Sequence, residues 1–154
     1  VVVATPASIA STPLASMKIV SNSPDLAGIE KMQIAELVKL LGHTNSDIGK
    51  AAALALRHHG LSDEEIQLAT ELANGSANRR LQLIQQIAAQ GNVNPRPWLV
   101  WMAEDGEPEV RRMAVSLLAP MIDETVTRSL RNLAVRESDS QIKEMITRVL
   151  ATTR

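Results

Sequence analysis

The sequence of 154 residues contains no cysteine, no tyrosine and no phenylalanine. Without cysteine the chain cannot form disulfides, thiolate metal sites, iron–sulfur clusters or a cysteine nucleophile. No apolar run approaches the roughly 18–20 residues that a helix needs to cross a membrane. Lys and Arg number 16 against 17 Asp and Glu, which gives a net charge of −1. This balance argues against a strongly basic nucleic-acid-binding protein and against a polybasic membrane-surface protein.

The residues that are present indicate a folded chain with a distinct N-terminal segment. Hydrophobic residues make up 45% and charged residues 21% of the sequence, which is ordinary for a globular domain. The first 23 residues are mostly Val, Ala, Ser, Thr and Pro, with Lys18 as their single charge. Pro6 and Pro13 interrupt any apolar stretch there, and the charged start of a secretory signal is missing. We predict an extended or disordered arm or linker over 1–23 and a folded domain over 24–154. The absence of an initial Met predicts a processed product or a part of a larger protein.

Apolar residues recur at helical spacing from Asp25 onward, while strand signals are almost absent. Helix start and stop signals follow roughly every fifteen residues. The pattern predicts eight helices, over 26–41, 46–59, 63–73, 77–90, 96–103, 108–119, 124–135 and 139–151. We therefore expect an all-α fold.

Local capping signals mark the ends of these helices. Ser62 and Glu65 have the spacing of a capping box, and Pro108 suits the first turn of a helix. Asp123 and Ser138 are predicted N-caps, because a short side-chain oxygen can accept hydrogen bonds from the free N–H groups there. Glycines at predicted helix ends and turns are expected to supply a positive φ. They are Gly42, Gly60, Gly75, Gly91 and Gly106.

The helices repeat with a period of about 31 residues. One apolar stripe consists of Val110, Met113, Ala114, Leu117 and Leu118. At a shift of 32 residues it matches Ile142, Met145, Ile146, Val149 and Leu150. The second unit departs most, because Arg79 and Gln82 occupy two of the apolar positions. Helix pairs account for the folded part in four units, over about 25–60, 61–91, 92–121 and 122–152.

This repeat resembles the HEAT type, in the short-unit form found in phycobilisome-lyase-like proteins. The resemblance is clearest over 104–119, where EDGEPEVRRMAVSLLA has the acidic turn, the Val-Arg pair, the small residue and the leucines of the family. It covers the chain from about Asp25 to Thr152. The resemblance implies a right-handed α-solenoid of about four antiparallel helix pairs, in which stacked neighbours share one continuous core.

The two ends of the predicted stack differ in character. The last helix carries a single apolar stripe, and its remaining positions are polar, which is typical of a terminal cap. Those polar residues are Ser140, Lys143, Glu144, Thr147 and Arg148. The first helix has a wider apolar stripe, so we predict that either residues 14–20 or an upstream domain covers it. Helix 46–59 is apolar nearly all round, which predicts a neighbour on both sides.

No residues form a recognisable catalytic constellation. His58 and His59 are adjacent, so their side chains point in different directions and do not form a metal pair. We interpret them as favourable polar groups at a helix C-terminus. No phosphate-binding glycine loop, nucleophile elbow or zinc-binding helix motif occurs. We expect no cofactor, no metal site and no enzymatic activity.

A column of basic residues recurs at one position of the repeat. Arg80, Arg111 and Lys143 occupy this position in the second, third and fourth units, and Gly49 occupies it in the first. In one interpretation each basic group pairs with an acidic or amide side chain of its own or a neighbouring unit, such as the preceding column Asp47, Asn78, Glu109 and Gln141. In the other, the column forms a row of cations on the inner surface, extended by Arg79, Arg112 and Arg148, that binds an acidic partner.

Trp98 and Trp101 are the only aromatic residues. Trp98 aligns with Leu68 of the preceding unit, so we predict that it lies in the core. Trp101 aligns with Glu71, a position that should face solvent. Trp101 either fills space behind a short helix or stands exposed as an interface anchor.

The resemblance implies a non-enzymatic protein–protein interaction or scaffold module that uses the inner helical face of the solenoid. The predicted partner is a protein of unidentified kind, and the predicted contact residues are Arg79, Arg80, Arg111, Arg112, Lys143 and Trp101. One alternative is a bilin-lyase-like or other HEAT-like enzyme subunit, such as the HEAT-like proteins that excise alkylated bases. The other is weak nucleic-acid binding through the basic row, against which the net charge argues.

Overall fold

A computed structural model of the chain describes residues 26–152, apart from the side chain of Ala27. Over this range the chain forms nine α-helices and one short 3-10 helix, and it contains no strand. The helices are α1 (Leu26–Ile29), α2 (Ile34–Leu40), α3 (Ser46–His58), α4 (Asp63–Asn74), α5 (Ala77–Ala89), α6 (Arg96–Met102), α7 (Pro108–Leu118), α8 (Glu124–Arg136) and α9 (Ser140–Ala151), with the 3-10 turn at Ala119–Met121. The predicted arm over 1–23 and the covering segment 14–20 lie outside the described residues.

Successive helices pack as pairs, and the pairs pack on one another. Helix α2 packs against α3, α4 against α5, α6 against α7 and α8 against α9. We call α2, α4, α6 and α8 the first helices of the pairs, and α3, α5, α7 and α9 the second helices. Neighbouring pairs meet through α2 and α4, through α5 and α7, through α6 and α8, and through α7 and α9. The described residues therefore form the all-helical stack that the repeat predicts.

One continuous apolar core runs through all four pairs. Among its fully buried side chains are Leu37, Leu56, Leu72, Ile84, Leu99, Val115, Leu130 and Ile146. Each such burial contributes roughly 1.5–3 kcal/mol relative to exposure. Because every pair supplies part of this core, each depends on its neighbours for stability.

The start of the domain differs from the single helix predicted over 26–41. Helix α1 ends at Ile29, and α2 begins only at Ile34. Gln33 has an extended backbone and starts α2 through a capping box, in which its N–H donates to Glu36 Oε2 at 3.3 Å. The break lets α1 pack against α3, where Ile29 is fully buried. The sequence pattern did not indicate this turn, because apolar residues recur at helical spacing on both sides of the break.

Two of the predicted N-caps are present. Ser62 Oγ accepts from the N–H of Glu65 at 3.2 Å, and the N–H of Ser62 donates to Glu65 Oε2 at 2.9 Å. Asp123 Oδ1 accepts from the N–H of Val126 at 2.8 Å. Pro108 is the first residue of α7, as expected for a residue without an N–H.

The predicted cap at Ser138 is wrong. Helix α9 begins at Ser140, and Asp139 Oδ1 accepts from the N–H groups of Gln141 and Ile142, at 2.9 and 3.2 Å. The N–H of Asp139 in turn donates to Glu137 Oε1 at 2.9 Å. The turn is thus arranged around the Glu137 carboxylate, which moves the cap one residue along the chain.

The prediction of positive φ at five glycines holds for one of them. Among the described residues only Gly60 has a positive φ, of 92°. Gly75 ends α4 with an ordinary φ of −69°, but a Cβ built there would lie 2.6 Å from the carbonyl oxygen of Glu71. Close approach of the backbone, rather than φ, therefore excludes a side chain at Gly75. The other three, at Gly42, Gly91 and Gly106, need no positive φ.

The two ends of the stack are unequal. The predicted terminal cap is present, because Ile142 and Ile146 of α9 are buried while its polar positions are exposed. Helix α3 has the packed neighbours predicted for it on both sides, but its contact with the second helix pair is limited. It packs against α1, α2 and α4 but makes little contact with α5, and Leu54 is 50% exposed.

No helix in the described part of the chain combines the length and apolar character of a membrane span.

Candidate functional site

Arg111 and Glu137 form a buried ion pair between the third and fourth helix pairs. Arg111 lies in the first turns of α7, and Glu137 directly follows α8. Arg111 Nε donates to Glu137 Oε2 at 2.9 Å, and Nη2 donates to Oε1 at 3.0 Å. The two side chains are 14% and 3% exposed. Two parallel hydrogen bonds make this the strong, geometrically specific form of a carboxylate–guanidinium contact.

The surroundings of Glu137 lower the pKa of its carboxyl group below the ordinary value. Burial alone would raise this pKa, because it penalises the charged form. The hydrogen bond from Arg111, the backbone N–H groups of Asp139 and Ser138, and the positive charge of Arg111 together outweigh that effect. Glu137 is therefore held as a carboxylate by partners inside the fold.

Arg80 and Asp105 form the equivalent pair between the second and third helix pairs. Arg80 Nη2 donates to Asp105 Oδ1 at 3.0 Å, and Nη1 donates to the carbonyl of Gly75. Arg80 Nε lies 2.8 Å from Asp105 Oδ2 but is buried without a well-directed hydrogen bond. The side chains are 17% and 7% exposed. This pair is buried like the Arg111 pair but less completely satisfied.

The first interpretation of the basic column, in which each basic group pairs with an acidic side chain, thus describes Arg80 and Arg111. We call these two buried ion pairs the ladder. The acidic partners of the two arginines come from the turn between the two helices of the next pair, not from the column of Asp47, Asn78, Glu109 and Gln141. Arg80 and Asp105 are 25 residues apart, and Arg111 and Glu137 are 26 apart. A recurring acidic residue at this separation is the signal from which the partners could have been found.

The ladder stops at both ends of the stack. The first pair has Gly49 at the position of the arginines, so no ion pair of this kind joins it to the second pair. The last pair has Lys143, whose side chain is exposed and makes no ion pair with another described residue. The buried pairs therefore join the second, third and fourth helix pairs only.

The remaining predicted basic contacts lie nearer the surface. Arg79 Nη2 is 2.6 Å from Glu71 Oε2, and the Arg79 side chain is 46% exposed. Arg112 Nη2 donates to Gln141 Oε1 at 3.3 Å, and the Arg112 side chain is 42% exposed. With Lys143 these side chains can reach solvent, whereas the guanidinium groups of the ladder cannot turn outward without breaking their pairs.

We define the second-helix face as a strip of exposed and half-buried side chains across α5, α7 and α9. It consists of Gln82, Gln85, Arg112, Met113, Gln141 and Lys143. Gln85 Nε2 lies 3.9 Å from Met113 Sδ, and Arg112 bonds Gln141. The strip is therefore continuous from the second to the fourth helix pair.

Trp98 and Trp101 line a cavity of about 480 Å³ between α2, the start of α4, and α6. Trp98 is buried at 8% exposure, which confirms its predicted place in the core, and Trp101 is half-buried beside it. The two ring centroids are 6.4 Å apart, with an angle of 51° between the planes. Trp101 thus both fills space and borders an opening. We call this cavity the tryptophan groove.

The groove continues past Trp101 to a smaller, more polar cavity of about 350 Å³. Lys39, Arg80 and Asp105 are among the residues that line this second cavity. The structure therefore brings Trp101 and Arg80 to one region, away from Arg112 and Lys143 on the second-helix face. Within the described range no group of three or more His, Asp or Glu residues is arranged to hold a metal ion.

Comparisons with known proteins identify the family. The family model described as HEAT repeats matches residues 66–151, which is more than half of the chain. The match is to HEAT repeats in general and does not single out the phycobilisome-lyase-like form. No curated protein and no solved structure matches the sequence. The family match, together with the helix pairs stacked around one core, establishes that the chain belongs to the HEAT repeat family.

Proposed function

We propose that the chain is a non-enzymatic protein-interaction module that binds its partner along the second-helix face. HEAT repeats generally mediate protein–protein contacts, and stacked repeats expose long surfaces without a deep pocket. The observation that carries the proposal is that the buried apolar and charged groups of the stack find their partners within the stack itself. The core and the two buried ion pairs join the second to fourth helix pairs, so the outward side chains of α5, α7 and α9 are free for binding.

The chemistry of this face suits a polypeptide with acidic side chains. Gln82 and Gln85 offer amide donors and acceptors, which match a peptide backbone. Arg112 and Lys143 supply positive charge, and the planar guanidinium of Arg112 fits a carboxylate. Arg112 is held by a hydrogen bond to exposed Gln141 and by a long ion pair of 4.0 Å with half-buried Asp139, so it can exchange these weak contacts for a partner.

The predicted contact residues take different roles, and Trp101, which lines the tryptophan groove, lies apart from this face. Arg112 and Lys143 contact the partner directly, and Arg79 borders them at the edge of α5. Arg80 and Arg111 hold neighbouring helix pairs in register and thereby set the spacing of the exposed side chains. Their own charges are paired with Asp105 and Glu137 inside the fold.

The test is affinity capture with a charge-reversed face. The double variant Arg112→Glu/Lys143→Glu is compared with the unaltered chain in a nuclease-treated lysate, followed by identification of the bound proteins. The matched control is Arg128→Glu, which reverses a charge on α8, where Arg128 pairs only with exposed Glu124. Far-ultraviolet circular dichroism verifies that all three proteins are folded.

We expect the double variant to lose proteins that the unaltered chain and the control both retain. A partner set that survives Arg112→Glu/Lys143→Glu unchanged would overturn the assignment of this face. A parallel capture from untreated lysate completes the test. Proteins that are captured there but lost after nuclease treatment would show that nucleic acid carries the interaction, which would likewise overturn the assignment.

A further inference from the structure

The tryptophan groove is the apolar concavity of the first-helix side. Ile34 and Val38 of α2 form one wall, and Trp98 and Trp101 of α6 form the other. Leu61, just before α4, also lines the groove. Apart from Asn94 and Glu65 the lining side chains are apolar, and Glu65 is the only charged residue of the lining. An occupant therefore has to be mainly apolar.

Water is a poor occupant for such a surface. Ile34 is the first residue of α2, near the start of the described range, and it is 42% exposed at the groove. Leaving these side chains in water forgoes about 25 cal/mol for each Å² of apolar surface that could be covered. An apolar segment that reaches the groove is therefore held there by the same force that forms the core.

The sequence before the described range contains a segment with the required chemistry. Residues 14–20 read LASMKIV and include Leu14, Met17, Ile19 and Val20. They also contain Lys18, the single charge in the first 23 residues. A single positive charge in a mainly apolar segment complements the single negative charge, on Glu65, in a mainly apolar groove.

The tether between the segment and the fold is short. Residues 21–25 link Val20 to Leu26, and a linker of that length spans at most about 20 Å. Helix α1 follows directly and leads into α2, whose first residue, Ile34, lines the groove. A segment that reaches its site through a short flexible linker has an effective concentration in the millimolar range, which favours it over a free competitor.

We propose that the tryptophan groove binds residues 14–20 of the same chain, with Leu14, Met17 and the Ile19–Val20 pair supplying the apolar contacts and Lys18 facing Glu65. The segment covers Ile34 and Trp101 and completes the core of the first helices at this point. This inference concerns a different surface from the second-helix face and does not depend on the proposed function.

Intrinsic fluorescence isolates this groove from the rest of the molecule. The two tryptophans both line it, and the chain has no tyrosine or phenylalanine, so the emission reports on the groove alone. The full chain carrying Leu14→Asp/Met17→Asp is compared with the unaltered chain. The matched control, Val3→Asp/Ile9→Asp, places the same two charges in the same arm but outside the segment. Acrylamide quenching and emission maxima are measured on all three.

We expect Leu14→Asp/Met17→Asp to shift the emission to longer wavelength and to increase quenching at least twofold, with no change in the control. A synthetic peptide of residues 10–23 added to the Leu14→Asp/Met17→Asp chain should reverse the shift and saturate, and the same peptide with Lys18→Glu should bind several-fold more weakly. Unchanged emission and quenching in Leu14→Asp/Met17→Asp, or equal changes in the control, would overturn the proposal. An emission maximum of the unaltered chain that varies with protein concentration would assign the groove to a second copy and overturn it as well.

Discussion

The guanidinium of Arg111 and the carboxylate of Glu137 face each other across the joint between the third and fourth helix pairs, with two parallel hydrogen bonds of 2.9 and 3.0 Å. Arg111 Nη1 also donates to the carbonyls of Asp105 and Gly106, in the turn before its own helix. One side chain thus holds the turns of two successive pairs. Because both charged groups are buried, either one left alone would be a charge without a partner.

Removal of the Arg111 guanidinium should destabilise the folded chain. We expect Arg111→Ala to lower the free energy of unfolding by about 3 kcal/mol, the usual cost of breaking a buried ion pair from one side. Arg128→Ala is the matched control, since its pair with Glu124 is 71% and 91% exposed, and it should change stability by less than about 1 kcal/mol. Urea denaturation followed by circular dichroism measures both. Equal midpoints for the two variants would contradict a structural role for the ladder.

The Glu137 carboxylate should make stability fall in acid. Its pKa in the folded chain lies below the ordinary 4.5, which it regains on unfolding. The unfolded chain therefore binds more protons as the pH falls below about 4.5, and stability decreases until the pH passes the folded pKa. We expect Glu137→Gln to flatten the slope of unfolding free energy against pH in this window. Urea titrations from neutral to acidic pH test this, and an unchanged slope in the variant would exclude Glu137 as its source.

Much of the fold was predictable because its signals are local. Ser62 and Asp123 satisfy N–H groups within three residues, so the sequence shows the cap and its target together. The burial of Trp98 followed from its alignment with an apolar position of the repeat. The family could be recognised for the same reason, since a helix pair of fixed length repeats its apolar spacing wherever it packs on a neighbour.

The parts that escaped prediction depend on contacts between distant residues. Arg80 and Arg111 were recognised as a column, but their partners lie in the turns of the next pair, where spacing within a helix gives no guidance. The cap at Asp139 followed from the position of Glu137, which Arg111 fixes. The tryptophan groove arises from three first helices at once, so no single helix pattern contained it.

Gly60 should resist substitution for a reason that Gly91 does not share. Gly60 has a φ of 92°, a conformation that residues with a Cβ rarely adopt. We expect Gly60→Ala to lower the free energy of unfolding by about 1–3 kcal/mol through backbone strain. Gly91→Ala is the control, because its φ is not positive and a Cβ there meets no atom within 4 Å. Thermal and urea unfolding compare the two, and an equal loss of stability at both sites would contradict the strain argument.

The first helix pair should open before the rest of the stack. Gly49 takes the place of the ladder arginine, α3 makes little contact with α5, and Leu54 remains half-exposed. In a stack stabilised by contacts between neighbours, the weakest joint lets its end unfold alone. Native-state hydrogen exchange should therefore show the buried amides of α3 exchanging through an opening of lower free energy than those of α7. The Gly49→Ala variant tests whether α3 opens separately from α7. A Cβ there lies 3.6 Å from the carbonyl of Leu41, an ordinary contact. Because alanine is the better helix former, we expect the opening free energy of α3 to rise by about 1 kcal/mol while that of α7 stays unchanged. A single opening free energy shared by α3 and α7 would contradict this unequal stability.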